Sequence, residues 1–319
     1  MEKNDLEHID YSDVVHPDGR VYVSWRKTLK PRYFIVWRDM FLGYIAIAAL
    51  LFLGQFISFS YPLLFVVGII LLSIAIGFVL AYLSLFIHEA GHFNLHPDKR
   101  VNDKLSNIFL GILFGTDIKV YRKIHWWHHL HLGATNDSEN SYFNALTGSF
   151  LFESFSGLHL IRTLKKKKTT ALLTPEMKKD NVQILLISGF ANLAIITALL
   201  LIHKWPLAIA WVLGMLIFFP FFATLRQILE HRAEFADKDK DYLYINHGKL
   251  ARLFTNDLFS RTFGGAGFNR HMIHHWDPQI SYTRLEDTEQ FLTECVRTRD
   301  IITNSKTTYF SILKKLSFK

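Results

Sequence analysis

The sequence predicts an all-α integral membrane fold: four transmembrane helices in two hairpins, with a cytoplasmic helical cap that carries clustered histidines. Three observations lead there. Four uncharged apolar runs are long enough to cross a bilayer. Basic residues gather on one side of those runs. Histidines fall into three tight clusters that lie at the end of a run or in the polar segments beyond one.

The first 40 residues are polar and charged and read as an arm, with no secretory signal pattern. Lys27, Lys30, Arg32 and Arg38 stand just ahead of the first run, a cytoplasmic flank by the positive-inside rule. His8 and His16 in this arm read as ordinary surface residues. From Phe41 to Ser58 nearly every residue is apolar, and from Tyr61 to Ile87 there is no charge. Gln183 to Leu201 and Trp205 to Leu225 form a second uncharged pair. A bilayer core of roughly 30 Å needs about 20 apolar residues as helix, so each run is a span. Four buried helices of a soluble protein are the alternative, and uncharged runs of this length disfavour it.

The link around Ser58 to Tyr61 and the link His203-Lys204-Trp205-Pro206 are short and carry little charge, which suits the far side of the membrane. Lys165 to Lys168, Lys178-Lys179 and both termini then lie in the cytoplasm. Ile108 to Phe114 is apolar but too short to cross, and is expected to lie on or dip into the membrane face. Leu146 to Leu164 mixes aromatic, aliphatic and small polar residues and also reads as interfacial. Gly264-Gly265-Ala266-Gly267 reads as a flexible turn; a phosphate loop would need a following Lys-Ser/Thr that is absent. No repeat of 20–50 residues is present. The expected organisation is one domain over 1–319, with an arm 1–40, a core 41–285 and a tail 286–319.

The net charge of +8 fits this basic cytoplasmic face, and no nucleic-acid-binding module is evident. The single cysteine, Cys295, excludes an internal disulfide framework and suits a reducing side.

The histidine clusters are His88-Glu89-Ala90-Gly91-His92, His125-Trp126-Trp127-His128-His129 and His271-Met272-Ile273-His274-His275; His231 stands apart in Glu230-His231-Arg232. Residues three or four apart share a helix face, so each cluster can aim its rings in one direction. The predicted topology brings all four groups to one membrane face. Neutral imidazole is the commonest metal ligand. Nine imidazoles exceed the four ligands of one zinc and suit two metals. Iron, copper, zinc and nickel all accept imidazole, so ligand type alone does not choose. His96 and His131 could extend two of the faces but stand outside the compact clusters. His159, His203 and His247 read as ordinary polar residues.

Taken together, HEAGH (88–92), HWWHH (125–129) and HMIHH (271–275) resemble the three histidine boxes of the integral-membrane fatty acid desaturase and hydroxylase superfamily. Their order, the spans before box one and the pair of spans between boxes two and three match that pattern over about residues 40–285. The resemblance implies a non-haem di-iron site, two iron ions with O2 as co-substrate, that removes hydrogen from a fatty acyl or lipid chain. It also implies a separate electron donor of ferredoxin, rubredoxin or cytochrome b5 type with its reductase. His231 resembles the extra histidine of the alkane-hydroxylase branch, which gives it a ligand role. Acyl-CoA desaturases supply an asparagine in the comparable region, which makes Asn269 a secondary possibility.

Ligating histidines usually donate their other N–H to an acceptor, which nominates Glu89, Glu230 and Asp277. Trp126, Trp127 and Trp276 could wall a substrate channel or anchor at the interface. Arg270 would orient a carboxylate. Asp117, Arg122, Arg226 and Asn136 have surface roles by default. Double-bond formation is the leading expectation, and hydroxylation or another C–H oxidation at the same site is the alternative. Two other classes compete. HEAGH also matches the H-E-x-x-H motif of zinc metalloproteases, here as an intramembrane enzyme, but that reading leaves two boxes unexplained. A metal transporter would place polar residues within the spans, whereas these ligands lie at their ends.

Overall fold

The structure is a computed structural model that describes residue 6 and residues 9–57, 60–139, 146–158, 172–231, 240–242 and 250–317. His8, His159, His247, the lysine run 165–168 and the interfacial segment beyond 158 lie outside the described residues. The chain is mostly helical and divides into two compact units. One comprises Met1–Ile35, His125–Leu146 and Arg226–Lys319; the other comprises Val36–Ile124 and Thr147–Leu225.

Four helices are long and apolar enough to cross a membrane: Tyr33–Gly54, Pro62–Gly91, Pro175–Leu201 and Trp205–Glu230. They cover most of each apolar run, and each extends past its run at one end: the first begins eight residues before Phe41 and stops at Gly54, and the second starts at Pro62 and continues to Gly91. Hydrophobicity stops where the bilayer would stop, whereas backbone hydrogen bonding continues into polar turns. Pro62 and Pro175 open their helices at positions where a missing N–H costs nothing. The Thr174 side chain caps the latter by accepting from the Met177 N–H. Among the residues of Pro175–Leu201, only Ser188 is buried, so this helix turns its apolar side chains outward. Leu185, Leu186, Phe190 and Leu193 are all exposed, an arrangement suited to lipid rather than water.

In this unit the helices approach closely at glycine. A Cβ on Gly77 would lie 2.3 Å from the Phe218 Cβ and 2.8 Å from its carbonyl carbon, so two backbones meet there. Phe218 ends a π-helical segment, Gly214–Phe218. Pro220 follows it and has no N–H to return to the preceding turn, a recognised cause of such a shift in register. Gly77→Ala is therefore expected to cost about 1–3 kcal/mol by overpacking. A lowered thermal midpoint in detergent would show it; an unchanged midpoint would show that the two helices can separate freely.

Ile108–Phe114 does not form a span. A helix over Lys99–Ser106, capped by Asp98, passes into a π turn Asn107–Gly111 and ends at Gly115, which is left-handed with φ 70°. The carbonyl of Leu113 accepts from Ser188 Oγ and Asn192 Nδ2, both at 3.2 Å. Asn192 in turn accepts from Trp211 Nε1 at 3.1 Å. These polar side chains tie the short segment to a long apolar helix. Gly148–Phe155, within the segment read as interfacial, is a short helix whose Phe155 ring stacks on Phe221 at 5.1 Å.

In the other unit the arm is part of the core. Tyr22 is fully buried, with Trp276, Phe291, Leu292 and Ile302 among its hydrophobic cluster. Trp25 stacks on Phe291 at 4.1 Å between centroids. His16, read as an ordinary surface residue, reaches Glu294 at 2.5 Å, and this contact raises its pKa. The helices Tyr282–Glu294 and Val296–Ser305 lead into a two-stranded parallel pair, Leu253 opposite Lys306 and Phe254 opposite Thr307. The turn 264–267 is packed rather than flexible. Ala266 and Gly267 are left-handed, and a Cβ on Gly264 would meet the Tyr309 hydroxyl at 2.6 Å.

Candidate metal centre

Seven of the nine expected ligands meet within the first unit. His125, His128 and His129 lie on the helix Ile118–His131. His271, His274 and His275 lie on the helix His271–Trp276. His231 follows the helix Phe219–Glu230 and forms an antiparallel bridge with Ala251. All seven are buried. They form two groups. Ligand atoms of His125, His129 and His274 lie within 4.8 Å of one another, and so do those of His128, His231 and His275. His271 joins the second group, its Nε2 being 3.2 Å from His231 Nε2 and 3.1 Å from His275 Nε2. In the first group His129 Nε2 is 2.9 Å from His125 Nε2 and 3.2 Å from His274 Nε2.

The outer nitrogens decide what these contacts mean. His128 Nδ1 donates to Asp137, 2.9 Å to Oδ1 and 3.0 Å to Oδ2. His125 Nδ1 donates to Glu139 Oε1 at 3.0 Å, and His231 Nδ1 donates to the Leu250 carbonyl at 3.1 Å. Carboxylates and carbonyls only accept, so each of these three rings carries a proton on Nδ1 and, when neutral, presents its lone pair at Nε2. The Nε2 atoms thus converge, and a cation at the centre of each group would be met by their lone pairs. Burial lowers the pKa of His231, His271, His274 and His275 well below the usual imidazole value, which keeps them neutral. For His128 burial acts the same way, but the charges of Asp137 and Glu139 outweigh it and pull the value up to about 9. Burial opposes the charge on Glu139, yet the imidazoles of His125 and His128 hold it down at about 2. His231, His271, His274 and His275 thus offer neutral nitrogen donors, and a divalent cation would displace the extra proton of His128, with Asp137 and Glu139 as anions behind the rings.

His88 and His92 lie in the other unit, at the C-terminal end of Pro62–Gly91, with ring centroids 4.8 Å apart and both rings buried. Phe93 turns left-handed at φ 63° and closes this helix end. Arg122 caps it, donating from Nε to the Gly91 carbonyl at 2.9 Å and from Nη2 to the Ala90 carbonyl at 3.2 Å. The guanidinium also lies over the Phe93 ring at 3.8 Å and pairs with Asp103 at 2.5 Å. Its default surface role is replaced by a structural one. Asp117 caps the start of the box-two helix by accepting from Lys119 N–H at 2.9 Å.

The expected acceptors are placed unevenly. Glu89 Oε1 lies 3.4 Å from His88 Nδ1, and its Oε2 accepts from Asn94 at 2.9 Å. Glu230 accepts from the Tyr309 hydroxyl at 3.1 Å and pairs with Arg226 at 3.2 Å. Asp277 serves the arm, accepting from Tyr22 and Arg26, both at 2.8 Å. Asn269 is buried, and among the described residues its Nδ2 has no hydrogen-bond partner. Trp126 faces the His129 ring at 5.7 Å. Trp127 stacks on His131 at 3.7 Å and donates to the Asn136 carbonyl at 3.1 Å. Trp276 packs between Tyr11 and Tyr22, each at 4.7 Å, so it locks the arm to box three. Arg270 does meet carboxylates, Glu289 at 2.6 Å and Glu286 at 3.2 Å, and both belong to this chain. His96 accepts from the Asp98 N–H at 3.0 Å and lies outside both metal groups, as does His131.

Asp137 and Glu139 were not foreseen. They are the carboxylates that hold box two, and they sit in the loop after the helix, where no periodicity points to a role. The available signal was two acids spaced by one residue soon after a ligand cluster.

No curated protein matches the sequence. The model of the family described as fatty acid desaturase matches residues 63–305, which is most of the chain and includes all three boxes. With four apolar helices of spanning length and a buried histidine cluster built to hold metal, the chain belongs to the fatty acid desaturase family and is a membrane oxidoreductase.

Proposed function

We propose that the chain is an O2-dependent di-iron enzyme that introduces a double bond into a fatty acyl or lipid chain. The convergence of imidazole lone pairs in two groups carries this reading. His125, His129 and His274 offer three nitrogens where His128, His231, His271 and His275 offer four. His88 and His92 complete the first set in this proposal. Their support is the Arg122 cap, since the helix that carries Arg122 continues directly into His125.

Iron bound there supplies the redox chemistry that, with O2 and electrons from a donor, removes hydrogen from an unactivated C–H bond. The residues of the chain do the rest. Asp137 and Glu139 hold the tautomers of His128 and His125. Burial of the ligands keeps bulk water from the centre. Trp126, against His129, and Trp127 border the substrate path. In the membrane the spans form two hairpins, with both termini and the histidine cap on the cytoplasmic face. Lys27, Lys30, Arg32 and Arg38 ahead of the first span, and short links after the first and third, support this orientation. The electrons come from a separate ferredoxin, rubredoxin or cytochrome b5 type donor and its reductase.

Expression in a host without such activity, followed by mass spectrometry of its lipids, tests the reading. Loss of two hydrogens per product is the expected result. Gain of one oxygen would make the enzyme a hydroxylase. Unchanged lipids, with iron, O2 and donor supplied, would overturn the proposal.

A further inference from the structure

The second metal group is held from behind by the end of the chain. Residues 250–255 form a short segment that touches two of its three sources of histidine, His231 and the helix of His271 and His275. Ala251 bridges His231, and the Leu250 carbonyl accepts from His231 Nδ1 at 3.1 Å. The Arg252 N–H donates to the Glu230 carbonyl at 3.0 Å, and its guanidinium donates to the carbonyls of Leu229 and His231. The Arg252 carbonyl accepts from the Met272 N–H at 2.8 Å, next to His271. Arg252 is 2 % exposed, so these bonds sit where water cannot replace them.

Residues 306–309 brace this segment. Lys306 and Thr307 pair with Leu253 and Phe254, and the Thr255 N–H donates to the Thr307 carbonyl at 2.7 Å. Tyr309 is fully buried and stacks on Phe254 at 3.7 Å. Its hydroxyl donates to Glu230 Oε1 at 3.1 Å, on the residue directly before His231. Gly264 leaves room for that hydroxyl, because a Cβ there would approach it to 2.6 Å. Lys306 Nζ also meets Glu289 at 2.7 Å, and Glu289 holds Arg270, directly before His271, at 2.6 Å. The family match ends at residue 305, just ahead of this brace.

We propose that Tyr309 is a positioning residue for the metal held by His128, His231, His271 and His275, acting through Glu230 and the segment 250–255. The proposal rests on the two-metal reading above. A polar network this deeply buried fixes one arrangement only when every member is satisfied, and the Tyr309 hydroxyl satisfies Glu230. Loss of that bond leaves the Glu230 side chain held by Arg226 alone among the described residues and loosens His231, while His125, a ligand of the other metal, keeps its own support in Glu139.

Deletion of 306–319 is the blunt test and can unfold the chain, so Tyr309→Phe, which keeps the ring on Phe254, is the decisive variant. Full-length wild type and variant are loaded anaerobically with limiting ferrous iron, and bound iron and Mössbauer spectra are recorded. Wild type is expected to hold two irons per chain. Tyr309→Phe is expected to lose one of the two signals selectively, to regain it in excess iron, and to lower kcat about tenfold with KM unchanged. Retention of both signals unchanged, or equal loss of both, overturns the positioning role while leaving the two-metal reading in place. A wild type that does not bind two irons overturns the two-metal reading, and this proposal with it.

Discussion

His128→Ala and His274→Ala are each expected to abolish turnover, and each to empty a different metal. His128 belongs with His231 and His275, whereas His274 belongs with His125 and His129. Each truncation removes a buried nitrogen from its group, and among the neighbours His125 and His231 are held in place through their outer nitrogens. His128 in particular is fixed by both oxygens of Asp137. Bound iron measured on the purified variants is expected to fall from two per chain toward one. Combining the two substitutions should leave none. Full activity and full iron content in either single variant would remove that residue from the centre.

Glu139→Gln is expected to weaken iron binding by about 10–100-fold, the usual consequence of losing an acceptor behind a ligating histidine. Glu139 holds His125 Nδ1 at 3.0 Å and accepts from Gln227 at 3.2 Å. The amide fills the same space but carries no charge, so His125 becomes a poorer donor and the positive metal loses a nearby anion. Asp137→Asn should act likewise through His128. Titration of the apoprotein with ferrous iron against a chromophoric chelator measures the change. Wild-type affinity in both variants would show that the carboxylates only fill space behind the rings.

The spans and the boxes were legible because both signals are local. Uncharged apolar residues in runs of membrane length need no partner to be recognised, and the helices at 175–201 and 205–230 contain their runs. Histidines three and four apart share a face of any helix that contains them, and the helices 118–131 and 271–276 do. The helix ends were less legible. Tyr33–Gly54 begins before its apolar run, since helix formation continues where hydrophobicity fails.

Partners distant in sequence were not legible at all. Asp277 lies two residues beyond His275 and looked like an acceptor for it, yet Tyr22 and Arg26, some 250 residues earlier, take both of its oxygens. Glu139 carried no mark that set it apart from any loop acid. Trp276 looked like a channel wall beside its ligands, but the aromatic arm covers it. In each case a side chain's role depends on which distant group reaches it first, and chain spacing does not encode that.

The sequence by itself determined that this chain enters a membrane and gathers imidazoles, because apolar run length and helical period are properties of neighbouring residues. Only the tertiary structure decided which nitrogens face one another, which anions stand behind them and how the two ends of the chain grip box three and His231. Those are contacts between segments far apart along the chain, and they form only when burial brings the segments together.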